Sequence, residues 1–337
     1  MMHSARAVGA LVAACLVLAG CSGDSDSSTL RVREPATAAV AAGTTAPPAG
    51  TVTPLNAAVR HVAIDPRTRV LALAVDSPDR LLLLNADAVG TPPRTVALPG
   101  RAAQLSFSVP GGPLFVAVPG AVLRVDQRSG VVTSTKVDAD VRSAVQLSDG
   151  ATAVGTADGK VLVLGPDGAV RQQITGLAET DGLADTPGGL VAMDRKQSAL
   201  RAVDLGKGKL GESLRAGDGA TNAVTDRFGR VLVTDTAGGE LLAFSTDPLL
   251  LRQRFPVPGA PYSLAYDPAT DLAWVTITER NQVVGYAMAA GEPVERYRFD
   301  SVAQPDTVAV DPATGAVLVG SAAGAGLQRI DPKGGGR

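Results

Sequence analysis

The chain from Arg60 onward alternates short apolar runs with tight polar turns, and the alternation recurs to the C-terminal end. In its first copy the apolar runs span residues 61–65, 70–76, 80–85 and 94–98, and each is too short for a typical helix. Asp, Pro and Gly residues bound the runs, as expected for strands joined by tight turns. The middle two runs are almost continuously apolar, which predicts strands that are covered on both faces.

Seven copies of this unit can be traced, with a period of roughly 36 to 44 residues. Their first turns lie at residues 65–66, 109–112, 148–150, 185–188, 226–229, 267–270 and 311–315. A period near 40 residues made of four strands is typical of a propeller blade. The pattern therefore predicts an all-β protein, a β-propeller of seven four-stranded blades. The second and fourth copies are degenerate, so six or eight blades are the alternatives.

The two ends of the repeat region predict how the ring closes. The last copy contains only three apolar runs, at residues 307–310, 316–320 and 326–330. Residues 50–55 precede the first full copy and can supply the missing outer strand, where Pro54 is tolerated because an edge strand leaves one side unpaired. We therefore expect the propeller domain to span residues 51–337 and to be closed by an N-terminal strand.

Aspartate recurs in the first turn of the units. An aspartate side chain can accept a hydrogen bond from the backbone two residues further on, which stabilises such turns. No calcium-loop motif occurs around these residues. We interpret them as turn formers and not as metal ligands: Asp65, Asp149, Asp226, Asp267 and Asp311.

The first 20 residues have the character of a secretory signal. Arg6 gives a positive start, and residues 8–18 form an apolar stretch too short for a permanent membrane span. The sequence Leu-Ala-Gly-Cys at residues 18–21 resembles a bacterial lipobox, in which the Cys21 thiol receives a diacylglyceryl group with acyl chains such as palmitate. The resemblance implies a lipid anchor at the extracytoplasmic face of the cell membrane. An ordinary secretory signal with a chance cysteine is the alternative.

Residues 21–50 are rich in Ser, Asp, Thr, Ala, Pro and Gly, which predicts a lipidated cysteine followed by a flexible tether. Cys15 leaves with the signal, so the mature chain has no free thiol for a disulfide, a zinc site or a nucleophile. Without Arg6 the chain has 30 basic and 33 acidic residues, a net charge near −3. No basic patch stands out, which argues against nucleic acid as a partner.

Two units carry a turn-and-strand element of known type, at residues 267–275 and 311–319. They resemble the D-P-x-T-G-x-V-[YW]-V element of YVTN/NHL-like β-propellers, over about residues 51–337. Together with the lipobox and the composition, this looks like an actinobacterial lipoprotein with a propeller ectodomain. The motif is structural and is shared by proteins of many functions.

The residue at the entrance to each first strand is polar, and in a propeller these positions converge at one mouth of the central channel. The candidate ligand-binding residues are Arg60 (or His61), Gln104, Ser143, Asp181, Asn222, Tyr262 and Asp306. Asp181, Asn222 and Asp306 offer the oxygen atoms that Ca²⁺ or another divalent cation prefers. A channel mouth that is merely solvated also favours polar residues.

The candidate chemistry favours binding over catalysis. With His61 as the sole histidine after the signal and no free thiol, Ser-His-Asp, Cys-His and multi-histidine zinc sites are excluded. We expect no catalytic residue, no required cofactor and a non-catalytic binding or scaffold module for a protein, peptide or envelope component. An accessory subunit with an obligate protein partner is a variant of that hypothesis. The alternative, implied by related propellers, is a metal-dependent lactonase-like hydrolase.

Overall fold

A computed structural model describes Met1 and residues 30–41, 43, 46–107, 109–289 and 291–333. The predicted signal peptide and Cys21 lie outside the described residues. The described strands all belong to one compact unit, Arg31–Arg337. Within the described part of the chain, no helix has the length and apolar character needed to cross a membrane.

The unit is built almost entirely from antiparallel strands, with one short 3₁₀ turn at Thr278–Arg280. The first sheet contains β2 (Val59–Ile64), β3 (Val70–Val75), β4 (Arg80–Asn85) and β5 (Arg94–Ala97). The second contains β6 (Gln104–Ser106), β7 (Leu114–Val125), β8 (Val132–Gln146), β9 (Thr152–Thr156), β10 (Val161–Leu164) and β11 (Val170–Ile174). The third contains β12 (Gly182–Thr186), β13 (Gly189–Asp194), β14 (Ala199–Asp204) and β15 (Lys209–Arg215).

The remaining three sheets complete the ring. The fourth contains β16 (Ala220–Thr225), β17 (Val231–Asp235), β18 (Glu240–Thr246) and β19 (Leu249–Pro256). The fifth contains β20 (Pro261–Asp267), β21 (Leu272–Ile277), β22 (Gln282–Ala287) and β23 (Val294–Asp300). The last contains β24 (Pro305–Val310), β25 (Val317–Ser321), β26 (Leu327–Ile330) and, at its outer edge, β1 (Thr51–Thr53).

Counted by hydrogen-bonded sheets, the described strands form six blades, and the prediction of seven four-stranded blades is wrong. The second and third sequence units share one six-stranded sheet because β8 pairs with β7 through its first half and with β9 through its second half. No glycine or proline lies between residues 131 and 149, so neither of the strongest strand breakers interrupts this 15-residue strand.

The innermost strands of the six sheets contact one another around a closed ring. The six-stranded sheet contributes two of these strands, β6 and β8, and each other sheet contributes one: β2, β12, β16, β20 and β24. Apolar side chains fill the layers between neighbouring sheets, with Leu71, Leu232 and Trp274 among the fully buried ones. A further apolar layer, which includes Phe115 and Val154, lies between the two halves of the six-stranded sheet. Covering on both faces explains why the central strands are continuously apolar.

The ring is closed by the N-terminal segment, as the sequence predicts. β1 pairs antiparallel with β26, and Thr51 lies opposite Arg329 while Thr53 lies opposite Leu327. The strand covers an edge of β26 that would otherwise present unpaired backbone groups.

The turn aspartates also have the predicted role. In each of the five turns, one carboxylate oxygen accepts a hydrogen bond from the backbone N–H two residues further on, over 2.8 to 3.0 Å. Two of these carboxylates additionally bind a neighbouring sheet. Asp311 accepts bonds of 2.5 and 2.7 Å from the guanidinium of Arg69, and Asp65 accepts a bond of 2.8 Å from Gln127.

Candidate functional site

A cavity of about 480 Å³ lies where the first strands of the sheets begin. Six of the seven candidate residues predicted from the sequence line it: Arg60, Gln104, Asp181, Asn222, Tyr262 and Asp306. The structure thus brings together side chains that are separated by up to 246 positions in the sequence.

A repeated irregularity of the inner strands positions these side chains. In β2, β8, β16, β20 and β24 the pairing register with the neighbouring strand shifts near the mouth. The residues at the shifts all line the cavity: Arg60, Arg142, Thr221, Tyr262, Ser263 and Asp306. In a regular strand, side chains alternate between the two faces of the sheet, and a β-bulge interrupts this alternation. The shifts therefore direct polar side chains into the channel that would otherwise point to a face of the sheet.

Ser143 is the predicted candidate that the cavity does not include. Its side chain is buried, and its hydroxyl donates a hydrogen bond of 3.1 Å to the Thr180 carbonyl. The register of β8 shifts between Val141 and Ser143, which places Arg142 at the cavity. The hydrophobic pattern of the sequence does not reveal bulges, so it contains no signal for this one-residue change.

Arginine is the main component of the site that sequence reasoning missed. Arg101, Arg142 and Arg195 line the cavity beside Arg60, together with Asp140. Arg142 forms ion pairs of 3.3 Å with Asp140 and 2.8 Å with Glu179. Arg101 had a signal in the sequence, because it lies shortly before the start of β6. Arg142 depends on the bulge in β8, and Arg195 follows the second strand of its sheet, so the pattern of strand entrances reveals neither.

Arg195 is a half-buried hydrogen-bond donor at the site. Its backbone N–H donates a hydrogen bond of 2.9 Å to the Asp181 carboxylate, and its guanidinium donates to the carbonyl of Ala36. Its Nε atom is buried and has no hydrogen-bond partner among the described residues.

Two of the cavity acids ionise less readily than free aspartate. Burial raises the pKa of Asp181 to about 6, although the hydrogen bond from the Arg195 backbone lowers it. Burial also raises the pKa of Asp306, whose carboxylate accepts a hydrogen bond of 3.1 Å from Gln304. A positive charge near either carboxyl group would lower its pKa again, because it favours the ionised form.

His61 is partly buried at the same mouth. Burial lowers the pKa of its imidazole to about 4, partly offset by a hydrogen bond with the Ala102 backbone. The ring is therefore neutral at pH 7 and can offer a polar contact to a ligand, but it carries no positive charge there.

Each candidate metal ligand has a hydrogen-bond partner within the protein. In the described ranges, no group of three or more His, Cys, Asp or Glu side chains is placed to hold a metal ion. Asp181 is bonded to the Arg195 backbone, and Asp306 to Gln304. The Asn222 amide donates a hydrogen bond of 2.9 Å to the Tyr262 carbonyl.

The fold defines the chain as a β-propeller protein. No known protein-family description matches the sequence, and no curated protein matches it. A chain of hydrazine synthase from Kuenenia stuttgartiensis has a TM-score of 0.70 and 14% sequence identity, over 84% of this chain and 98% of that chain.

Two further solved structures have similar folds. An inactive virginiamycin B lyase from Staphylococcus aureus, solved with quinupristin, has a TM-score of 0.68 and 11% identity, over 83% of this chain and 97% of that chain. A chain of the mitotic checkpoint complex has a TM-score of 0.70 and 14% identity, over 87% and 99%. These proteins include enzymes and an assembly subunit, so the shared fold does not define a function.

Proposed function

We propose that this chain is a lipid-anchored, extracytoplasmic propeller that binds a small polar ligand, or the end of a peptide, at its channel mouth as a non-catalytic binding or scaffold module of the cell envelope. The observation that carries the proposal is the repeated register shift, which directs one polar residue after another into a single cavity. Bulges are over-represented next to functional sites, where they redirect side chains, and this supports a binding site at the mouth.

The charges of the cavity favour a ligand that carries both signs. Four arginines and three aspartates line it: Arg60, Arg101, Arg142, Arg195, Asp140, Asp181 and Asp306. Arginine binds carboxylates through paired N–H donors, and an ammonium group would favour the ionised forms of Asp181 and Asp306. A short peptide with free termini has both groups and is small enough for a cavity of about 480 Å³.

A thermal-shift screen tests this function. The mature chain is melted with millimolar di- and tripeptides that have free termini, and with the same peptides after N-acetylation and C-amidation. Binding to the native state alone stabilises by about 2.7 kcal/mol at a hundredfold excess over Kd, which raises the Tm visibly. We expect shifts with free peptides that blocking removes. Equal shifts with blocked peptides, or none in the panel, would overturn the proposed ligand class.

The same screen includes divalent cations after EDTA treatment. A Tm increase with Ca²⁺ that is lost in the Asp181→Asn and Asp306→Asn variants would favour the lactonase-like alternative over the binding module. Asp331→Asn, in an exposed turn, is the matched control.

The anchor has a separate test in the native cell. The proposed lipoprotein, of YVTN/NHL-like type and actinobacterial origin, depends on Cys21 for its membrane attachment. We expect Cys21→Ala to move the protein from the membrane fraction to the soluble extracytoplasmic fraction. Retention of this variant in the membrane fraction would contradict the lipid anchor without bearing on the cavity.

A further inference from the structure

Part of the predicted tether lies against the propeller. The backbone N–H of Arg33 donates a hydrogen bond of 2.9 Å to the Lys196 carbonyl, and the Arg33 guanidinium donates one of 2.6 Å to the Asp218 carbonyl. Ala39 donates its N–H to the Thr278 hydroxyl over 3.0 Å. The segment therefore makes specific contacts with the third, fourth and fifth sheets.

The same segment reaches the last sheet as well. The Gln304 amide donates a hydrogen bond of 2.6 Å to the Ala39 carbonyl, and the Arg195 guanidinium donates to the Ala36 carbonyl. We call the contacted area the rim surface, which consists of Arg195, Lys196, Asp218, Gly219, Thr278 and Gln304. Because the rim surface includes Arg195, which also lines the cavity, it lies on the face where the channel opens.

The contacts recur at every third residue of the segment, at Arg33, Ala36 and Ala39. No helix or strand is formed between residues 31 and 41. An extended chain with three residues per turn presents the same side at this spacing, and Pro35 suits that conformation. Most of the bonds involve the backbone of the segment, so they recognise an extended peptide more than a particular sequence.

One position of the segment is selective for size. The Cβ of Ala36 lies 2.8 Å from the place that a Cβ on Gly219 would occupy. A Cβ at position 219 would also lie 2.8 Å from the Cβ of Ala237, so Gly219 leaves the space into which Ala36 packs. We expect a larger side chain at either position 36 or position 219 to disturb this contact. Thr37, the next residue, is exposed.

We propose that the rim surface is a binding site for an extended peptide with a small residue at its centre, and that residues 33–39 of this chain occupy it in cis. The partner that fits the vacated surface is the same N-terminal segment of a second copy of this chain, because it is extended and has contact positions three residues apart. The proposal does not depend on a ligand in the cavity.

Occupancy in cis regulates the site. A segment joined to the domain by a short linker competes at an effective concentration on the order of millimolar. A peptide in solution therefore reaches the rim surface only when the chain's own segment is released. Arg195 and Gln304 hold the segment and also contact Asp181 and Asp306, so the occupied rim surface adjoins the cavity directly.

The test uses the full mature chain and two matched variants. Ala36→Leu places a large side chain against Gly219, whereas Thr37→Leu makes the same addition at the exposed neighbour. We expect the amides of Arg33 and Ala39 to be protected from hydrogen exchange in the wild type and in Thr37→Leu, and to lose protection in Ala36→Leu. Circular dichroism should be the same for all three chains, since the substituted residues lie outside the sheets.

The vacated surface is then probed with a fluorescent peptide of residues 30–41. We expect this peptide to bind the Ala36→Leu chain at least ~10-fold more tightly than the wild-type chain, because the cis competitor is removed. The same peptide with Ala36→Leu should not bind. Retained amide protection in the Ala36→Leu chain, or failure of the wild-type peptide to bind that chain, would overturn the proposal.

Discussion

Asp181 is the residue at which the cavity and the stability of the fold are most directly linked. Its pKa of about 6 in the folded state is higher than the ordinary value of 3.8. The folded protein therefore takes up a proton in preference to the unfolded chain as the pH falls below 7. This proton uptake stabilises the fold at mildly acidic pH, and a ligand ammonium would oppose it.

The substitution Asp181→Asn tests this relation. In the wild type, the Asp181 contribution to the free energy of unfolding should rise by about 1 kcal/mol between pH 7 and pH 5. Asp181→Asn should lack that increase, as measured by urea unfolding at both pH values, because the amide does not titrate. Asp140→Asn retains Asp181 and serves as the control. An equal pH dependence in wild type and Asp181→Asn would show that burial does not control this group.

In the pair of Arg69 and Asp311, one residue stabilises a charge on another sheet. The Asp311 side chain is fully buried, and Arg69 donates two hydrogen bonds to it. Burial alone would raise the pKa of Asp311, but the hydrogen bonds from Arg69 and Thr314 outweigh it and lower the pKa. The first and last sheets are thereby joined by a buried ion pair.

Arg69→Ala should lower the free energy of unfolding by about 3 kcal/mol at pH 7, because it leaves the Asp311 charge buried without its partner. The measurement is urea unfolding of the variant against the wild type. Asp311→Asn added to Arg69→Ala should restore part of the loss, since it removes the unpaired charge. A double variant no more stable than Arg69→Ala would argue that the cost comes from lost packing.

Among the sheets, the packing of the fifth requires a small residue opposite a large one. Gly285 on β22 lies directly opposite Trp274 on β21. The indole stacks on Tyr297 and Phe299 with ring centroids 5.6 and 6.2 Å away. A Cβ on Gly285 would lie 2.9 Å from the indole ring, which cannot move without disturbing the stack.

We expect Gly285→Ala to lower the free energy of unfolding by about 1 to 3 kcal/mol through overpacking. Thermal and urea unfolding measure the loss, and the near-ultraviolet circular dichroism of Trp274 should change with it. The double variant Gly285→Ala, Trp274→Leu should recover stability relative to Trp274→Leu alone. A Gly285→Ala variant as stable as the wild type would contradict the close packing.

Some features of the strands and sheets could be predicted from the sequence, and others could not. Apolar periodicity and turn residues predicted the strands, the turn aspartates and the closing strand, because these depend on local composition and burial. The division into sheets was wrong because hydrogen bonding continues through β8, where no glycine or proline intervenes and Asp138 and Asp140 lie within the strand instead of ending it. Arg142 in place of Ser143 at the cavity depends on a bulge, and the contacts of Ala36 depend on tertiary packing, so neither had a signal in the pattern.

At the scale of the whole molecule, ring closure requires a close approach between β1 and the last sheet. Gly326 has a φ of +104°, and a Cβ there would overlap the carbonyl oxygen of Thr53. Gly324, in the same turn, has a φ of +82° but open space around it. A side chain at either position would strain the backbone because both have a positive φ, but only a side chain at Gly326 would also contact the closing strand.

Gly324→Ala should therefore cost about 1 kcal/mol from the left-handed conformation alone. Gly326→Ala should lower the free energy of unfolding by about 2 kcal/mol more than Gly324→Ala, because its Cβ also pushes β1 away from β26. Urea unfolding of both variants, with hydrogen exchange of Val52 as a local readout, tests the difference. Equal losses in the two variants would indicate that closure by β1 contributes little to stability.

We propose that the mouth of the channel binds a ligand of mixed charge. The most direct test is calorimetric titration of the best free peptide from the thermal-shift screen into the wild type and into the Asp181→Asn, Asp306→Asn double variant. We predict that the double variant loses at least ~10-fold in affinity, about 1.4 kcal/mol, and that wild-type affinity falls as the pH drops below 6. Unchanged affinity in the double variant would contradict the claim.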